Sequence, residues 1–265
     1  MTSSVELKDQ VAIVTGGGTG IGLGIATEMA RAGANIVVAS RKMEHLEKAV
    51  AQVKSLGRQC LAVPADVRKP EDVDNLVQKT MGEFGRIDVL VNNAGASFRC
   101  GVEDMTPNGW DTIVDIILKG TFLCCRSVGK VMIKQQKGNI ISISSVAGVD
   151  GFPFISHYGA AKAGVINFTK SLSVEWSKHN IRVNCIAPGP ILTEGAQDGM
   201  RARGITKPPK SPHAIGRWGQ PEEIGRIAVF LASEASSFLS GQTLVADGGP
   251  NTMLWNWQML DYADR

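Results

Sequence analysis

The sequence predicts a single α/β domain in which a doubly wound, parallel, seven-stranded sheet carries helices on both faces. Three observations carry this expectation. Short β-branched runs alternate six times with helix-favouring stretches and end in a last strand. Most of these runs are apolar throughout instead of alternating, as strands covered on both faces must be. No linker or shift in composition divides the 265 residues, a length that one α/β domain can reach.

Taken in order, strands are expected at Val11–Thr15, Asn35–Ser40, Cys60–Ala65, Ile87–Asn92, Asn139–Ser144, Ile181–Ala187 and Thr243–Ala246. The first runs straight into Thr15-Gly16-Gly17-Gly18-Thr19-Gly20-Ile21-Gly22, which a helix should follow. Met43 to Leu56 is rich in Ala, Glu, Lys and Leu and is stopped by Gly57, so it reads as a helix. Pro70-Glu71-Asp72 opens another, with Pro in the first turn and acids near the positive end of the helix dipole. Pro221-Glu222-Glu223 does the same before a helix over Ile224–Ala232. Between them, residues 193–220 hold Pro208, Pro209 and Pro212 and read as one long irregular lid or binding element. The expected layout is a cofactor half over about 8–135, a catalytic and substrate half over about 136–250, and a tail over 251–265.

Composition excludes more than it names. With 43% hydrophobic and 20% charged residues, the chain has material for a sizeable core and is not a disordered polymer. Thirty glycines without a repeat argue against collagen and for turns and close backbone approaches. A net charge of +3 implies neither a nucleic-acid nor an acidic-membrane partner. Cys60, Cys100, Cys124, Cys125 and Cys185 are odd in number and lack the paired spacing of a zinc site, so no metal is expected and the thiols read as buried or inert. Met1 to Gln10 has no apolar signal core, the terminal Ala-Asp-Arg is no known address, and no apolar run is long enough to span a membrane. A reducing, cytoplasmic setting is the expectation.

The glycine cluster points to an anion. Side chains at these positions would keep a pyrophosphate from backbone N–H groups at a helix N-terminus, where the dipole favours negative charge. The alternative is a tight turn, and the strand-then-helix context favours the phosphate. The spacing Gly16, Gly20, Gly22 resembles the T-G-x-x-x-G-x-G of the short-chain dehydrogenase/reductase family, and the likeness extends over residues 8 to 250. Asp66-Val67 after strand three, Asn92-Asn93-Ala94-Gly95 after strand four and Pro188-Gly189 after strand six fall in the family's order. The resemblance implies a Rossmann fold with a nicotinamide cofactor held along Thr15, Gly16, Gly18, Thr19, Gly20, Ile21, Gly22, Asp66, Val67, Asn93, Ala94, Gly95, Pro188, Gly189, Ile191 and Thr193. Asp66 would meet the adenine, and Ile191 and Thr193 the nicotinamide carboxamide.

Cofactor choice is read at the end of strand two. An acid there would bind the adenine ribose and repel a 2′-phosphate, whereas this chain has Ser40-Arg41-Lys42. A hydroxyl and two cations suit a phosphate, which predicts NADP(H) in preference to NAD(H). The alternative is that Arg41 and Lys42 are a solvated helix start.

Tyr158-Gly159-Ala160-Ala161-Lys162 is the Tyr-x-x-x-Lys of the same family, and Ser145, thirteen residues earlier, matches its serine. On a helix the i and i+4 side chains share a face, so phenol and ammonium can act together. Strand alternation turns the neighbouring Ser144 the other way. An ammonium favours the phenolate and lowers a pKa that is ordinarily about 10. Tyr158 is expected to exchange a proton with a carbonyl oxygen, Ser145 to hydrogen-bond it, and Lys162 also to hold the nicotinamide ribose. The expected activity is hydride transfer between NADP(H) and a ketone or secondary alcohol.

One departure stands out. In Asp115-Ile116-Ile117-Leu118-Lys119-Gly120-Thr121-Phe122 the family usually has Asn where Ile117 lies, and that Asn commonly supports a water chain from the lysine. No fourth catalytic residue carries over. The same segment, with Pro188-Gly189-Pro190-Ile191 and Thr193-Glu194-Gly195-Ala196, is similar to the 2,4-dienoyl-CoA reductase branch, and Arg201, Arg203, Lys207 and Lys210 could meet acyl-CoA phosphates or be solvated charges. Reduction of C=C in an enoyl- or dienoyl-CoA is therefore the alternative, and a nucleotide-binding regulator on the same fold is a non-enzymatic one. Phe98, Phe152, Phe154 and Trp218 are candidates for an apolar substrate pocket or for core. His157 either touches substrate or is an oriented structural residue. Trp255 and Trp257 are expected to pack on the subunit or a neighbour. The resemblance also implies a homotetramer built through the helix after strand four, the Tyr-bearing helix and the last strand.

Overall fold

A computed structural model of the chain describes residues 5–202, 204–209 and 214–249. Arg203, Lys210, Pro212, Trp255, Trp257 and the rest of the tail lie outside the described residues. Seven parallel strands, β1 (Val11–Thr15), β2 (Asn35–Ser40), β3 (Cys60–Pro64), β4 (Val89–Asn92), β5 (Gly138–Ile143), β6 (Ile181–Pro188) and β7 (Thr243–Ala246), form one sheet in the order β3-β2-β1-β4-β5-β6-β7. The helices are α1 (Gly20–Arg31), α2 (Met43–Ser55), α3 (Pro70–Phe84), α4 (Pro107–Val114), α5 (Gly120–Gln135), α6 (Ser156–Trp176), α7 (Glu194–Arg201) and α8 (Pro221–Ala232).

The continuous apolar runs have the expected consequence. Within β1, Ala12 and Val14 join Ile25 and Met29 of α1, Leu46 of α2 and Ala228 of α8 in one buried cluster. The alternate residues Val11 and Ile13 join Leu76 of α3, Val128 and Met132 of α5 and Leu172 of α6 in another. β1 thus feeds two cores, and period-2 geometry does the sorting.

Two expectations need adjustment. β4 starts at Val89, not Ile87, because the Ile87 N–H donates to Gln135 Oε1 (3.1 Å) and so is tied to a side chain instead of a ladder. Residues 193–220 are not irregular throughout: α7 forms because Thr193 Oγ1 accepts from the Ala196 N–H (3.0 Å), with Glu194 in the first turn and Arg201 in the last.

α1 and α8 press together through glycine. A Cβ on Gly24 would lie 2.6 Å from the Pro221 carbonyl carbon, and one on Gly225 would lie 2.7 Å from Gly24 O. On the same face of the sheet, Arg182 of β6 gathers the chain that leads to β7. Its guanidinium donates to the carbonyls of Leu231 (2.8 Å), Ser233 (3.0 Å), Ser236 (3.0 Å) and Leu239 (3.3 Å). Asn184, also on β6 and fully buried, donates to Leu239 O and accepts from the Gln242 N–H. Arg182→Met would leave several of these acceptors short of a donor, and we expect a loss of about 2–3 kcal/mol in urea unfolding, with the β7 region exchanging amide protons first.

Candidate active site

The centre of the groove is built where β1 and β4 lie side by side and the chain leaves them toward opposite faces. Thr15 Oγ1 accepts from the N–H groups of Asn93 (3.0 Å) and Ala94 (3.1 Å) and donates to Val91 O (3.3 Å). Asn93 Nδ2 returns the connection, donating to Thr15 O (3.0 Å) and Gly16 O (3.2 Å). The glycine loop after β1 and the Asn-Asn-Ala-Gly loop after β4 are therefore one unit. Asn92 stays inside, its amide directed at Cys125 Sγ and Ser142 Oγ.

Gly16 (φ +63°) and Gly20 (φ +53°) occupy the left-handed region that L side chains rarely adopt. Gly22 has a different task from the one its place in the motif suggests. A Cβ there would point inward and lie 2.1 Å from Gly16 O, so it allows α1 to pack against the loop. Thr19 precedes α1 in an extended conformation, and no side chain caps the first turn. Its backbone donors suit a pyrophosphate.

From this loop an open groove of about 200 Å³ runs toward the end of β2, lined by Gly16, Ser40, Arg41, Lys42, Asp66 and Val67 among others. Arg41, Lys42 and His45 bring basic side chains to that end, which fits a phosphate on the adenine ribose. Asp66 lines it too, but Arg68 clasps its carboxylate (Nε to Oδ1 2.9 Å, Nη2 to Oδ2 2.5 Å) and holds it below the usual carboxylate range. The sequence reading missed His45 and Arg68; the two-residue step from Asp66 to Arg68 is the signal that could have found the clasp.

The other end of the groove shares Gly95 and Ala96 with the first and brings together Ile21, Asn93, Ser145, Tyr158, Lys162, Pro188 and Gly189. Ser145 ends the turn after β5, and its Oγ accepts from the Ala147 N–H (3.1 Å). That bond uses a lone pair and leaves the hydroxyl proton to donate. Ser144 faces away and donates to Lys162 O (2.9 Å). Lys162 is only 4% exposed; its Nζ donates to Ile143 O (2.6 Å) and lies 5.5 Å from the centre of the Tyr158 ring. No carboxylate pairs with it among the described residues. The Cys185 thiol also lies near it, and burial pushes that thiol up to about 11.

Ile117 lies in a wide π-turn, Asp115–Lys119, between α4 and α5. It is 1% exposed, and both its side chain and Lys162 Nζ flank Gly95. Its carbonyl accepts from Thr121 Oγ1 (2.7 Å).

The remaining candidates are placed as follows. Thr193 sits beside the start of α1 and caps α7 with its hydroxyl, while Ile191 is 9% exposed and packs with Ile224 in the core. Trp218 donates to Pro209 O (2.9 Å) within the lid segment. Phe98 and Phe154 are exposed and Phe152 is half-buried. His157 is fully buried and packs on Phe98, with 4.4 Å between ring centres. No helix is long and apolar enough to cross a membrane, and no group of three or more His, Cys, Asp or Glu could hold a metal, both among the described residues.

Comparison with known proteins agrees with this geometry. A family model described as Enoyl-(Acyl carrier protein) reductase matches residues 16–251. The chain is 40% identical over 245 residues to a 3-oxoacyl-[acyl-carrier-protein] reductase of Synechocystis, covering 92% of this chain and 97% of the relative. It is 35% identical over 246 residues to a probable 2,4-dienoyl-CoA reductase of Bacillus subtilis, again covering 92% and 97%. The crystal structure of levodione reductase superposes with a TM-score of 0.87 at 33% identity, covering 91% of this chain and 97% of that one.

Thr15→Val keeps the shape of the side chain and removes the acceptor of two N–H groups. We expect it to lower stability by about 2–3 kcal/mol in urea unfolding and to weaken binding of a nicotinamide dinucleotide in a fluorescence titration.

Proposed function

The chain belongs to the short-chain dehydrogenase/reductase family, and on that footing we propose that it transfers hydride between NADP(H) and a ketone or secondary alcohol. It is an oxidoreductase of a family that uses NAD(P)(H), and its relatives act on both C=O and C=C substrates. The observation that carries the carbonyl reading is the meeting of Tyr158, Ser145 and buried Lys162 at one end of a groove whose other end is basic.

The roles follow from the contacts. The nicotinamide, when bound, supplies or accepts the hydride. The Ser145 hydroxyl, whose lone pair is held by the Ala147 N–H, donates to the carbonyl oxygen and fixes its place. Tyr158 gives its proton to that oxygen in reduction and takes it back in oxidation. Lys162, fixed by Ile143 O, stabilises the phenolate and holds the nicotinamide ribose. Ser40, Arg41 and Lys42 hold the 2′-phosphate, and Gly16, Gly18, Thr19, Gly20 and Ile21 the pyrophosphate. With Ile117 in the π-turn, no side chain extends the relay beyond Lys162, so proton exchange with solvent passes through the groove mouth.

A second reading, reduction of C=C in an enoyl- or 2,4-dienoyl-CoA, is favoured by the Bacillus relative and by the family model's description. The presence of Tyr158 supports the carbonyl reading over it. Exposed Phe122 on α5, Val174 on α6 and Val245 on β7 support a homotetramer. A cytoplasmic location remains the expectation from sequence.

Tyr158→Phe should lower turnover at least 100-fold while NADPH still binds, as read by cofactor fluorescence. Activity within a few-fold of the parent would remove Tyr158 from the acid/base role. Arg41→Ala with Lys42→Ala should raise KM for NADPH at least tenfold and leave KM for NADH nearly unchanged. Product identification on paired 3-oxoacyl and 2,4-dienoyl thioesters decides between C=O and C=C; NADPH binding without turnover on either would point to a regulator.

A further inference from the structure

The wall beside Tyr158 contains a polar group that the mechanism does not use. His157 is fully buried, and neither ring nitrogen has a hydrogen-bond partner among the described residues. The adjacent Ser156 Oγ is also buried and unpartnered. A neutral imidazole is one donor and one acceptor, and a histidine oriented for structural reasons would have at least one of them engaged. Burial holds the ring's pKa below its ordinary value, which keeps one nitrogen a donor and the other an acceptor near neutrality.

What covers the ring is a side chain with room to move. Phe98 packs on His157 at 4.4 Å between ring centres, tilted by 40°, and is itself 40% exposed. It follows Ser97, which lines the catalytic end of the groove. The two loops that meet here are pinned elsewhere. The Cys100 N–H donates to Phe154 O (2.9 Å), the Arg99 guanidinium lies 5.2 Å from the centre of the Phe154 ring, and Phe154 itself has φ +65°. A non-glycine residue in that region is a strained turn held by its surroundings. The loop that carries Phe98 is thus tied to the loop that carries Phe154, and Phe98 itself is partly open to solvent.

We propose that His157, assisted by Ser156, is a specificity-determining residue that hydrogen-bonds a second oxygen of the substrate once Phe98 swings aside. The substrates it selects carry a carbonyl oxygen one or two carbons from the reacting carbonyl, as a 3-oxo thioester or a cyclic 1,3-dione does. This rests on the carbonyl reading given above. It extends that reading by separating the group that reacts, at Tyr158, from the group that is read, at His157.

The test compares two substrates with NADPH: the N-acetylcysteamine thioester of 3-oxobutanoate and its thioether analogue, in which the second carbonyl is a methylene. In His157→Phe, kcat/KM for the thioester should fall at least tenfold and for the thioether less than twofold, with NADPH affinity unchanged. His157→Gln, which keeps a donor, should recover most of the loss, and His157→Leu serves as the test if the Phe variant does not fold. Equal loss on both substrates means a structural role, and no loss on either means that the ring meets only water; both overturn the proposal. If the parent enzyme reduces neither ketone but consumes NADPH on an enoyl thioester, the carbonyl reading itself has failed, and this inference with it.

Discussion

The hydrogen bonds between Thr15 and Asn93 are the constraint on which the groove depends. Strand order places β1 next to β4, and there the chain turns to opposite faces of the sheet and leaves a crevice at the carboxyl ends of the strands. A crevice between diverging loops would widen unless something held its edges. Thr15 Oγ1, accepting two N–H groups from the β4 loop, and Asn93 Nδ2, donating to two carbonyls of the β1 loop, are that hold. The backbone donors at the start of α1 and the side chains of Ser145, Tyr158 and Lys162 beyond Gly95 are positioned relative to one another through these few bonds.

Electrostatically the groove has two different ends. At the β2 end, Arg41 and Lys42 are exposed surface charges, whose attraction for an anion is screened by salt. At the other end, Lys162 is buried against a carbonyl, where water screens its charge far less. A net charge of +3 says nothing about either; what matters is which cation is wet and which is dry.

Much of this was legible in the sequence, and the parts that were not share a cause. Unbroken apolar runs such as Val11–Thr15 announce strands covered on both sides, and glycines between a strand and a helix announce a backbone that meets a ligand. These signals are local. Arg68 clasping Asp66, the Ile87 N–H spent on Gln135 Oε1 and the inward-facing Gly22 depend on which groups are brought together in space. Helix α7 was hidden for another reason: its Glu-Gly-Ala-Gln-Asp-Gly stretch has weak intrinsic propensity, and the cap from Thr193 tips the balance. His157 was visible as a histidine next to Tyr158, but its lack of partners is a property of three dimensions only.

The glycine contact between α1 and α8 has a consequence for how such a chain diversifies. Residues 193–220 begin at Thr193, which rests beside Gly20 at the head of α1, and end at Pro221, which rests against Gly24 of the same helix. Both attachment points are thus fixed to one rigid rod, itself anchored to the sheet. A segment mounted in this way is an interchangeable cassette: insertions, deletions and rewritten sequence within it leave the separation of its ends unaltered.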